Sequence, residues 1–104
     1  MNNVYYSVSV APNTPTELGA LTVPARSGYS LTGIRVYSLC ETSWTLYLNG
    51  VAIVGGLTGA ANPNDTIAFP TVWGMSAFNV ALISVSHTET TNQTISATLF
   101  YEQL

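Results

Sequence analysis

Ser43-Trp44-Thr45-Leu46-Tyr47-Leu48-Asn49-Gly50-Val51-Ala52-Ile53-Val54 is the stretch that decides the fold class. Trp44, Leu46 and Leu48 fall on alternate positions, with Thr45 and Tyr47 between them. A period of two places one set on one face of a strand and the other set opposite. Asn49-Gly50 then supplies two residues that tolerate the positive φ angles of a type I′ turn. The stretch predicts a strand, a two-residue turn and a returning strand.

The same period runs outward in both directions. Val4, Tyr6, Val8 and Val10 alternate with Tyr5, Ser7 and Ser9, which predicts a half-buried strand. Pro12 and Pro15 end it, because proline removes a ladder donor and fixes φ. Leu18 to Val23 reads as a second strand, closed by Pro24, with a turn at Arg26-Ser27-Gly28. Tyr29 to Ser38 reads as a third. Strict alternation puts Leu31, Gly33, Arg35 and Tyr37 on one face and Thr32, Ile34, Val36 and Ser38 on the other, with Gly33 marking a bulge or a close backbone approach. Residues 55–65, rich in Gly, Ala and Asn, are expected to be a loop with at most a short edge strand. Thr66 to Phe69 is expected to be a brief strand stopped by Pro70, and residues 71–78 an irregular apolar segment. Asn79 to Ser86 and Thr94 to Tyr101 read as the last two strands, the latter with Ile95, Ala97, Leu99 and Tyr101 on one side. Roughly eight short strands and no convincing helix predict an all-β chain, a small antiparallel β-sandwich with jelly-roll-like topology. Residues 1–104 are expected to form a single domain, with residues 1–10 as an N-terminal strand or arm.

Composition narrows the function. Charged residues are 7% of the chain, against about 25% in ordinary soluble domains. There is no Lys, and Arg26 and Arg35 are the only cations, so the basic face that nucleic acid requires cannot be built. Anionic membrane surfaces are disfavoured for the same reason. No apolar run approaches the ~20 residues of a spanning helix. The first residues do not resemble a signal peptide, so synthesis in a cytoplasm, or processing from a longer chain, is expected.

The supply of chemical groups is thin. Cys40 and His87 are single, which leaves no disulfide and no zinc-ligand set. Cys40 is expected to be a small buried or half-buried side chain and His87 an exposed loop residue. Glu17, Glu41, Asp65, Glu89 and Glu102 are scattered through predicted turns and ends. They are expected to be solvated charges rather than the paired carboxylates of a glycosidase. Asp65 fits a turn better than a calcium loop. No catalytic residue, metal or cofactor is therefore expected. Aromatic residues are more informative. Trp44 is expected in the core, and Tyr5, Tyr29, Tyr37 and Tyr47 on a second face. Surplus apolar groups that a small sandwich cannot bury usually mark an interface. The candidate interface residues are Val4, Tyr5, Tyr6, Trp73, Met75 and Phe78. Stacking of a sugar ring on Trp73 or Tyr47 is the rival use.

Leu21-Thr22-Val23-Pro24-Ala25, Tyr29 to Val36, Trp44 to Gly50, Val80 to Val85 and Ile95 to Tyr101 together resemble small bacteriophage virion proteins. These include capsid decoration (cement) proteins and related appendage modules with a jelly-roll sandwich. The resemblance lies in the order of strands and turns over residues 18–101, not in a diagnostic motif. It implies a homotrimer on the capsid exterior that bridges major capsid protein subunits against internal DNA pressure. A carbohydrate- or receptor-binding module of a tail or fibre is the alternative.

Overall fold

The computed structural model describes residues 2–104, and the first of the candidate strand's residues, Met1, lies outside them. Eight strands follow one another: β1 (Asn2–Val10), β2 (Thr16–Thr22), β3 (Tyr29–Tyr37), β4 (Thr42–Leu48), β5 (Val51–Thr58), β6 (Asn64–Met75), β7 (Val80–His87) and β8 (Gln93–Gln103). They form two four-stranded sheets in the orders β1-β8-β3-β6 and β2-β7-β4-β5. Every pair is antiparallel. Only the β4–β5 connection stays within a sheet; every other one crosses between sheets, which is the wrapping of a jelly roll. The chain is an eight-stranded antiparallel β-sandwich, and none of its described elements is a helix.

Alternation builds the core. Val4, Tyr6, Val8 and Val10 of β1 face inward, as do Ile95, Ala97, Leu99 and Tyr101 of β8. The opposite sheet contributes Leu18, Trp44, Leu46, Ala81, Ile83 and Val85. The Tyr29 and Tyr101 rings pack against each other at 4.6 Å between centroids. Tyr29 therefore belongs to the core and not to the second face expected for it. The Asn49-Gly50 turn has φ of 50° and 83°, as a type I′ turn requires.

Strict alternation fails in β3. Its pairing slips between Leu31 and Gly33 against both neighbours, so Thr32 is an extra residue. The slip reverses the faces: Leu31 points inward before it, and Ile34 and Val36 point inward after it, while Arg35 and Tyr37 face out. Glycine is needed at 33, because a Cβ there would stand 2.8 Å from the Ile67 carbonyl oxygen. The bulge also buries Thr32 Oγ1 without a hydrogen-bond partner.

Two predicted breaks are strands instead. Residues 55–58 continue β5, and β6 runs through Pro70 to Met75. Pro70 is tolerated because β6 is an edge strand, where a missing donor breaks no ladder. β3 pairs with Ala68 and then with Trp73, so residues 69–72 form a wide bulge. Gly56 leaves the space in which Trp44 Nε1 donates to Asp65 Oδ2 at 2.9 Å. Asp65 thus sits in β6 and links the two sheets; it is not a turn residue.

Candidate functional site

The two single reactive residues are both tied into the scaffold. His87 ends β7 and is 2% exposed, contrary to the exposed position expected for it. Its Nε2 donates to the Val10 carbonyl at 2.7 Å, and its Nδ1 accepts from the Glu89 N–H at 3.1 Å. Both ring nitrogens are engaged by backbone, so the imidazole has none left to act as a base. Cys40 is buried, as expected, with Sγ 3.3 Å from Ser38 Oγ and 3.5 Å from Thr42 Oγ1. Ser38, Thr42 and Thr58 complete a small polar cluster under the loops at that end of the sandwich.

A cavity of about 620 Å³ opens beside this cluster. Leu39, Leu57, Glu41 and Glu89 are among its lining residues. Both glutamates are exposed and make no side-chain hydrogen bond among the described residues, so neither is oriented for proton transfer. No group of three or more His, Cys, Asp or Glu among the described residues could hold a metal ion.

The candidate interface residues do not form one patch. Val4 and Tyr6 point inward and pack on the core. Burial and the neighbouring Tyr101 raise the Tyr6 phenol above its ordinary pKa. Met75 is 3% exposed and falls out of any surface patch, because it closes β6 opposite Tyr29 with its side chain in the core. Trp73 lies on the edge strand β6 and is 40% exposed. Phe78 stands at a loop tip, 72% exposed and with φ of 68°. That backbone angle is held by Phe78 N–H donating to Val23 O at 2.8 Å and by Asn79 Oδ1 accepting from Ser76 N–H at 2.9 Å.

Tyr5 lies elsewhere, on the outer face of the first sheet. Thr98 of β8 is the register partner of both Tyr5 and Arg35. Ser96, one step along β8, is flanked by Ser7 and Tyr37. Tyr5 and Tyr37 therefore stand on either side of a β8 floor of Ser96 and Thr98. A cleft of about 320 Å³ is lined by these four residues with Arg35, Asn64 and Ala97. Sequence reasoning placed Tyr5 and Tyr37 on an exposed face but missed the cleft. Its members lie on four strands that become neighbours only in the sheet.

Several of the other exposed apolar groups lie on β5 and β6, while Leu39 and Leu104 are exposed outside these strands. β5 and β6 are edge strands of the two sheets and face each other. Val51 and Leu57 of β5 and Val72 of β6 are each more than half exposed, and Trp73 adds to them. β5 has no charged residue.

No protein-family model matches the chain, and no curated protein matches its sequence. Among solved structures, the chain is similar to the insecticidal delta-endotoxin Cry8Ea1 from Bacillus thuringiensis. The identity is 13% and the TM-score 0.51, over 90% of this chain and 19% of the toxin chain. The structure of infectious bursal disease virus Gx strain is matched with 15% identity and a TM-score of 0.36, over 95% of this chain and 32% of that one. The Gt strain gives 12% identity and a TM-score of 0.31, over 100% and 40%. The chain thus spans less than half of each of these three chains. The likeness to the toxin is one of β-sandwich fold. The two viral matches, with lower scores, add nothing to it.

Proposed function

We propose that the chain is a non-enzymatic structural protein of a virion, a capsid decoration protein that assembles as a homotrimer and attaches to the major capsid protein. The β5/β6 side is the observation that carries this reading. An edge strand exposes unpaired N–H and C=O groups, and folded proteins protect such edges with charge, bulges, proline or a cover. β6 has Pro70 and its wide bulge. β5 has no charge, and Val51 and Leu57 project from it to solvent. Apolar side chains beside an uncharged edge call for a cover, and a second copy of the chain supplies one. Closed symmetry then multiplies weak contacts.

Light scattering on the purified chain is the test. The expected mass is three times 11.1 kDa. Leu57→Lys is expected to yield monomer and to abolish attachment to capsid shells. A monomeric wild-type chain that binds no shell would overturn the proposal.

A carbohydrate- or receptor-binding module of a tail or fibre is the second reading. It needs an exposed aromatic platform with polar neighbours. Tyr5 and Tyr37, with Ser96, Thr98, Asn64 and Arg35, meet that requirement better than Trp73 on its edge strand.

A further inference from the structure

We infer that the outer face of the β1-β8-β3-β6 sheet is a binding site for an acidic saccharide, a pyranose ring carrying a carboxylate. This names the ligand class for the second reading and does not depend on attachment to a capsid.

Three features point to that ligand. The first is spacing. Tyr5 on β1 and Tyr37 on β3 are separated by β8, so their strands lie about 10 Å apart. The two rings flank a floor of short hydroxyl side chains, Ser96 and Thr98. A pyranose chair, with apolar C–H faces and a rim of hydroxyls, fits between aromatic walls above hydroxyl partners. The second is continuity. A further hollow of about 450 Å³, lined by Tyr5, Tyr37 and Ser96 with Ser7, Asn92, Gln93 and Thr94 among others, extends the cleft along β8. Hydroxyl and amide side chains, Ser7, Asn92, Gln93, Thr94 and Ser96, line this extension beside the two tyrosines.

The third is charge. The chain has a net charge of −3 and two cations, and one of them, Arg35, lines this cleft. Its guanidinium lies 5.7 Å over the Phe100 ring and forms no salt bridge among the described residues. The ring holds the guanidinium against the sheet by its face, which leaves edge N–H groups to meet a carboxylate in the paired geometry that Arg favours. A stacked arginine across β8 from Tyr5, with no salt bridge among the described residues, selects an anionic sugar over a neutral one.

The full-length chain is titrated with 3′-sialyllactose, a glucuronic-acid tetrasaccharide and neutral lactose, and backbone amide shifts are followed by NMR. At least one acidic sugar is expected to bind with Kd on the order of 1 mM, a weak affinity suited to a shallow cleft, with the largest shifts at Ser96 and Thr98. Tyr5→Ala is expected to weaken binding about tenfold, a loss of ~1.4 kcal/mol. Arg35→Gln should reduce acidic-sugar affinity to the level of lactose, and Phe78→Ala should leave it unchanged. Each variant is checked for an unaltered thermal midpoint. Equal binding of lactose by the wild type would overturn the acidic class but leave a carbohydrate-binding module standing. Absence of binding by all three sugars at 20-fold the expected Kd (about 20 mM) would overturn both, and acidic binding that survives Tyr5→Ala and Arg35→Gln together would overturn this face as the site.

Discussion

His87 shows how one residue can act as a structural clamp. Its ring joins the end of β1, through the Val10 carbonyl, to the backbone after β7, through the Glu89 N–H. The two sheets are thus tied at one end of the sandwich. His87→Leu removes the donor to the carbonyl of buried Val10, and a buried group left unpaired costs about 1–3 kcal/mol. A loss of about that size is therefore expected in urea unfolding. Thr32 is the opposite case, since its buried hydroxyl already lacks a partner. Thr32→Val keeps the shape and removes the penalty, so an unchanged or higher unfolding midpoint is expected. A lower midpoint would mean that the hydroxyl does bond in solution.

At the scale of elements, the β4–β5 hairpin is local, whereas β6 depends on distant partners. The Trp44–Asp65 hydrogen bond pins β6 to the opposite sheet, and Gly56 makes room for it. Asp65→Ala removes the acceptor of a buried indole N–H. The expected cost is about 1–3 kcal/mol, and Trp fluorescence on unfolding would report it. Protection of the β6 amides in hydrogen exchange is expected to fall before that of β8, which is paired on both sides.

For the molecule as a whole, β1 is a working part of the sandwich. It pairs with β8 over all of Asn2–Val10 and places Val4, Tyr6, Val8 and Val10 on the core. Removing residues 1–10 is therefore expected to prevent cooperative folding, seen as loss of the thermal transition. A truncated chain that still folds would return β1 to the status of a detachable arm. Alkaline pH should also unfold the protein through this strand. Tyr6 holds its proton more tightly when folded, so the unfolded chain ionises first. The contribution of Tyr6 is constant below about pH 10 and is lost as pH rises above it. Tyr6→Phe keeps the ring over Gly19 and should lessen that loss.

Alternation and turn chemistry by themselves determined the strands β1, β4, β7 and β8, their inward residues, and the β4–β5 turn. Side-chain direction in a strand is a local property, and Asn49-Gly50 closes the one hairpin whose partners are adjacent in sequence. The absence of a basic surface was equally legible, because two arginines cannot make one wherever they fall. What only the tertiary structure decided rests on pairing between distant segments. Gly55-Gly56 and Pro70 read as breaks, yet they sit in strands because an edge tolerates a missing donor and Trp44 and Asp65 need the space beside Gly56. The bulge at Thr32 reverses the faces of β3 under two neighbours' hydrogen bonding. His87 is buried by a carbonyl 77 residues away. The Tyr5–Tyr37 cleft exists because β8, last in the chain, inserts between β1 and β3, a juxtaposition that no local pattern of residues encodes.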